Sequence, residues 1–140
     1  MRRTAGLLVL AFLFFSIPAL AVDLRVTDSA GVEVLVKDIS IDYGGLIGTD
    51  KEVEGVRITQ GDAAYTTKWT EIASITVVGR DDKAERLRVE ITLKGGAGKQ
   101  VALLVRKGRM KLVGKADLGD YSIDLEKVKK ITVVSAAPSK

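Results

Sequence analysis

Neither histidine nor cysteine occurs anywhere in the 140 residues, and most familiar active sites are excluded with them. A serine–histidine–acid triad, a thiolate nucleophile, a histidine general base and a typical zinc or copper site each need one of those side chains. What remains is oxygen and amine chemistry: serine with lysine, paired carboxylates, or a hard cation among oxygens. The chain has no Ser-x-x-Lys motif, and Ser74 and Ser122 sit in alternating sequence that reads as strand, where a hydroxyl is structural. Carboxylate pairs are available at Asp38 and Asp42, at Asp81 and Asp82, and at Asp117 and Asp120. Two acids in different environments divide acid and base roles only when they share a cleft, and closeness in sequence does not supply one. Asp38, Ser40 and Asp42 alternate with Ile39 and Ile41 and read as the wet side of a strand. No Asp-x-Asp-x-Asp-Gly loop with a distal glutamate is present to hold calcium. The sequence therefore predicts no catalytic residue, no metal site and no cofactor.

Two further segments carry charge that chemistry could use. Lys94-Gly95-Gly96-Ala97-Gly98-Lys99-Gln100 resembles the end of a phosphate-binding loop, but Leu93 stands at the first glycine position and Gln100 replaces the required Ser or Thr. The run is expected to be a hairpin between two strands. Residues 80–115 are strongly basic, with eleven basic residues against four acids, whereas residues 23–79 carry five against ten. If these stretches formed different faces, the protein would present an acidic and a basic side; if not, they are the solvated faces of strands. The candidate anion- or partner-binding residues are Arg80, Arg86, Arg88, Arg106, Lys107, Arg109 and Lys111, with Lys83, Lys94, Lys99 and Lys115 between and around them. The partners expected are an envelope protein, an anionic lipid or an acidic polysaccharide, with self-association as a further option. Nucleic acid is not expected.

That expectation about partners rests on the first residues of the chain. Arg2 and Arg3, an apolar run from Leu7 to Phe15, and Ala19-Leu20-Ala21 have the composition of a secretory signal, with cleavage predicted after Ala21. The apolar stretch meets Pro18 and falls short of the roughly 20 residues that cross a bilayer. Residues 1–21 are thus expected to be removed, leaving 22–140 as one exported domain, in the periplasm or outside the cell, with no membrane span. Without cysteine, that domain must be held by packing and strand pairing.

The elements that position these residues read as β throughout. Leu87, Val89, Ile91 and Leu93 alternate with Arg86, Arg88, Glu90, Thr92 and Lys94, which sends apolar side chains to one face and charged ones to the other. Shorter alternations occur at Val32–Val36, Ile39–Tyr43, Val56–Thr59, Ile75–Val78, Val101–Val105, Met110–Val113, Tyr121–Leu125 and Ile131–Val134, for roughly nine or ten strands. Glycine-bearing turns fall between them at 44–45, 61–62, 79–82, 95–98, 108 and 119–120. An all-β fold follows, a β-sandwich or small barrel with helix limited to short turns.

The chain also looks internally related, over about 32–78 and 88–134. Trp69, Ile72 and Ile75 match Leu125, Val128 and Ile131 at an offset of 56, and Thr76-Val77-Val78 matches Thr132-Val133-Val134. Gly55 and Gly61 match Gly114 and Gly119 once gaps of two or three residues are allowed. The three-residue spacing breaks a straight strand, so a tight, near-helical turn is expected before each final strand. Trp69 is expected to be a core anchor. The unit resembles small β modules of secreted bacterial proteins, a resemblance that implies architecture alone. The function class expected is a binding or interaction module, with an anion-binding basic face as the alternative and a carboxylate hydrolase as the less favoured one.

Overall fold

The computed structural model describes residues 22–44, 50–81, 86–96, 98–104 and 110–135. The predicted signal, with its cleavage residues Ala19 and Ala21, lies outside them, as do Lys83, Arg106, Lys107 and Arg109.

Among the described residues eleven strands form the fold: β1 (Asp23–Asp28), β2 (Glu33–Asp42), β3 (Lys51–Glu52), β4 (Gly55–Gln60), β5 (Ala63–Lys68), β6 (Ile72–Asp81), β7 (Arg86–Leu93), β8 (Lys99–Leu104), β9 (Lys111–Ala116), β10 (Gly119–Asp124) and β11 (Val128–Ser135). All pairings are antiparallel. One hydrogen-bonded path runs β10-β9-β2-β1-β11-β6-β7-β8-β4-β5, with the short β3 attached to β2. The expected all-β architecture is therefore a single sheet, curled as a half-barrel.

Alternation explains the core. On β7, Leu87, Val89 and Ile91 are buried while Arg88 is exposed. They join Leu24 and Val26 of β1, Ile75 of β6 and Leu112 of β9 in one apolar cluster, and among the described residues no polar or charged residue is buried. The two predicted tight turns are 3-10 turns, Trp69–Glu71 and Leu125–Lys127. Residues three apart eclipse one another in that geometry, so Trp69 and Ile72 are both buried, as are Leu125 and Val128. Trp69 is a core residue, 1 % exposed, although its Nε1 has no hydrogen-bond partner among the described residues.

Several local readings change. The segments 32–36 and 39–43 belong to one strand, β2, bent where Asp38 takes φ 51° and the register against β9 shifts. A bulge of this kind adds one residue and lets Ile39 return to the core after Val36. Gly79 lies inside β6 at a second register shift, not in a turn. The segment 95–98, by contrast, joins β7 to β8 as the expected hairpin between two strands, and Gly96 and Gly98 take φ near +75° there.

The offset of 56 runs through β4, β5, the first 3-10 turn and the start of β6, matched by β9, β10, the second 3-10 turn and the start of β11. The bounds 55–60, 63–68 and 69–71 recur at 111–116, 119–124 and 125–127 without a gap. The glycines are what fail to correspond. Gly61 opens the first hairpin turn with φ +59°, whereas Gly119 follows the second turn with φ +128°, so the two hairpins reverse with glycine at different turn positions. At the sheet centre, Ile75 of β6 pairs with Ile131 of β11, while Thr76 faces Lys130 and Ser74 faces Thr132. The pairs are thus arranged symmetrically about the Ile75–Ile131 position, as equivalent residues would be across a two-fold axis. Backbone bonds repeat as well. Trp69 donates to Glu54 at 2.9 Å and Leu125 donates to Met110 at 3.0 Å.

Candidate functional site

Of the candidate anion- or partner-binding residues, Arg80, Arg86, Arg88 and Lys111 are described, and they lie on three different strands. Arg86 and Arg88 share the outer side of β7, and Arg86 donates to Thr59 Oγ1 at 3.2 Å. Arg80, near the end of β6, is ion-paired with Glu126 of the second 3-10 turn. Lys111 lies on β9 at the other end of the sheet, in register between Asp42 of β2 and Asp124 of β10. The topology also interleaves the acidic and basic segments. The basic β7 and β8 lie between β6 and β4, and the basic β9 lies between β2 and β10. Among the described residues no group of three acidic side chains converges as a metal site would require. Asp38 sits at the bulge, and Asp42 Oδ1 accepts the Gly44 N–H at 2.9 Å.

Two concave features among the described residues lie around the β4–β5 hairpin. Ile58 and Tyr65 are register partners and point to the core side of the sheet. Beneath them runs a cleft of about 320 Å³. Its floor is Ile58, Ile91, Leu93 and Ala102; its rim is Gln60, Thr66, Thr67, Gln100 and the carboxylate of Glu71, with Tyr65 over one side. Tyr65 is 50 % exposed. No basic residue lines this cleft.

The opposite side of the hairpin carries Arg57 and Thr66, which are also register partners. A second cleft, about 300 Å³, is bounded by Tyr43, Asp50, Arg57, Ile58, Ala64, Tyr65 and Thr66 and shares the last two and Ile58 with the first. Arg57 is fixed from several directions. Its guanidinium makes two bonds to the Asp50 carboxylate, at 2.7 and 2.9 Å, approaches Glu52 at 3.5 Å, and stacks over the Tyr43 ring at 4.6 Å. Bidentate pairing and stacking suit the planar guanidinium, and the Asp50 bond holds its pKa above the ordinary value. The Tyr43 hydroxyl accepts the Arg57 backbone N–H at 2.9 Å. Burial pushes that hydroxyl's pKa up. The end of β2 is thereby tied to β4, and the hairpin is held at its base.

At the matching place in the other half, β2 packs closely against β9. The position 56 after Ile58 is Gly114. A side chain there would meet Val36 Cγ1 at 2.5 Å and the Lys37 carbonyl at 2.6 Å, because β2 continues along β9 through Asp42. The described part of β8 meets β4 at two pairs, Ile58 with Leu104 and Thr59 with Leu103, which leaves the space beside the hairpin open. Tyr43, Arg57, Tyr65 and Gln100 were not singled out as site residues by sequence reasoning. Their one sequence signal is Tyr65 at the middle of an uncharged stretch between Asp62 and Lys68.

Comparison with curated proteins and with solved structures finds no match to this chain. Residues 19–136 match a family model described as "Uncharacterised protein", and the chain belongs to that family.

Proposed function

We propose that the protein is an exported binding module whose ligand lies in the core-side cleft of the β4–β5 hairpin. The observation that carries this reading is the lining: an apolar floor with a rim of amides, hydroxyls and a single acid, Glu71, one exposed tyrosine and no cation. Such a surface suits an uncharged ligand with an apolar face and hydroxyl edges, such as a segment of neutral oligosaccharide, since Tyr and Gln side chains supply stacking area and paired hydrogen bonds. The chain's lack of histidine and cysteine favours binding over catalysis. The location, outside the cytoplasm, rests on the composition of residues 1–21. Calorimetric titration of the purified protein with neutral oligosaccharides tests the reading. Tyr65→Ala and Gln100→Ala are each expected to weaken binding about tenfold, and unchanged affinity in both would refute it.

A second reading, binding of anionic lipid or polysaccharide, is favoured by Arg86 and Arg88 on one outer strand face. It expects salt-sensitive binding that Arg86→Glu with Arg88→Glu abolishes.

We also infer that the chain arose by duplication of one β unit. The constant offset of 56, the repeated backbone bonds and the pairing of Ile75 with Ile131 support this. In this reading the cleft is where the copies diverged, Ile58 keeping a floor residue where Gly114 admits β2.

A further inference from the structure

Edge strands present backbone donors and acceptors with no partner, and proteins protect them with charge, proline or bulges. The two ends of this sheet are β5 and β10, and they are protected unequally. β10 carries Asp120 and Asp124 within its six residues. β5, Ala-Ala-Tyr-Thr-Thr-Lys, has no charge before Lys68, no proline and no register shift against β4, and it is exposed along nearly its whole length.

The backbone phase of β5 is fixed by its turn. Gln60 and Ala63 flank a two-residue turn and form a hydrogen-bonded pair, so Ala63, Tyr65 and Thr67 direct their N–H and C=O groups to β4. Ala64, Thr66 and Lys68 direct theirs to the open side. The Arg57 N–H agrees with this phase, since it points away from its partner Thr66 and is taken by Tyr43.

We propose that a second copy of this chain occupies that edge, β5 against β5 in antiparallel register centred on Tyr65. This inference rests on the strand edge and its charges and not on the cleft, although Tyr65 and Thr66 belong to both. In this register Ala64 faces Thr66 of the other copy, twice, and both are residues whose backbone groups are turned outward. Tyr65 meets Tyr65 at a non-hydrogen-bonded position, where side chains come closest. At each end Asp62 stands opposite Lys68, so the register places opposite charges together twice. Within one chain Asp62 and Lys68 lie at opposite ends of β5 and do not face each other. The same register on β10 would set Leu118 against Asp124, and a shift by one residue would set Asp120 against Asp124. Charge thus selects β5 and excludes β10.

Sedimentation analysis of the purified protein over a wide concentration range tests this, with circular dichroism to confirm that each variant is folded. The wild type is expected to form a dimer. Lys68→Asp and Asp62→Lys are each expected to weaken it roughly tenfold, because each opposes like charges at both ends, and the double exchange D62K/K68D is expected to restore it. Thr66→Pro removes an outward N–H and is expected to abolish the dimer. A monomer at every concentration, a dimer indifferent to the single changes, or a double exchange no better than either single change would overturn the proposal.

Discussion

Replacing Gly55 by alanine tests how closely the β4–β5 hairpin is held to its own base. An ideal Cβ at Gly55 would stand 2.0 Å from the Thr67 carbonyl oxygen, 2.7 Å from its carbon and 2.9 Å from Lys68 Cα. All three are backbone atoms, so no side chain can swing aside. Real Cβ contacts stay beyond 3.0 Å, and β5 must withdraw by about an ångström at this point. That movement strains the two ladder bonds of the Val56–Thr67 pair and the Trp69 N–H bond to Glu54, each worth about 1 kcal/mol. Alanine recovers about 0.5 kcal/mol by restricting the unfolded chain. The net loss is about 2–3 kcal/mol, or roughly 10 °C in Tm for a domain of this size. Urea unfolding of Gly55→Ala measures it. Gly79→Ala is the control, because nothing lies within 4 Å of the added carbon, and it should stay within about 0.5 kcal/mol of wild type. A Gly55→Ala protein as stable as that control would refute the close approach of β4 and β5.

Three further outcomes follow from the same geometry. Ile75→Ala and Ile131→Ala should each cost about 2–5 kcal/mol, and because the two residues are register partners the double variant should deviate from additivity in a double-mutant cycle. Tyr43 and Tyr121 both have pKa values raised by burial, Tyr121 further by Asp28. The unfolded chain releases these protons near pH 10.0 while the folded chain keeps them, so stability is complete below that pH and falls as pH rises above it. Denaturant unfolding between pH 8 and pH 11 should show the decline, and Tyr43→Phe should reduce it while costing about 1 kcal/mol at neutral pH for the lost bond to Arg57.

Alternation made β7 legible, because Leu87, Val89 and Ile91 face a core while Arg86 and Arg88 face solvent. The near-helical turns were legible for a similar reason: Trp69 with Ile72 and Leu125 with Val128 are spaced for burial on one side of a 3-10 turn. β5 was not read as a strand, since Ala63, Ala64, Thr66 and Thr67 bury nothing and leave no hydrophobic period. The bulge at Asp38 was hidden because the alternations at 32–36 and 39–43 are out of phase and read as two strands, and only pairing with β9 makes β2 continuous. The cleft was hidden for a different reason. Its floor joins Ile58, Ile91 and Ala102 from three strands, and Arg57 gains meaning only when Tyr43 arrives from β2. The dense basic run from Arg80 to Lys115 was visible, and topology sends its described members to different partners: Arg80 to Glu126, Arg86 to Thr59, Lys111 between two aspartates.

The most direct test of the central claim, that the hairpin's core-side cleft is the binding site, is amide chemical-shift mapping of the purified protein titrated with neutral oligosaccharides. The account predicts saturable shifts confined to Ile58, Tyr65, Thr66, Thr67, Gln100 and Ala102. Shifts centred on Arg86 and Arg88, or no saturable shift with any neutral oligosaccharide, would contradict it.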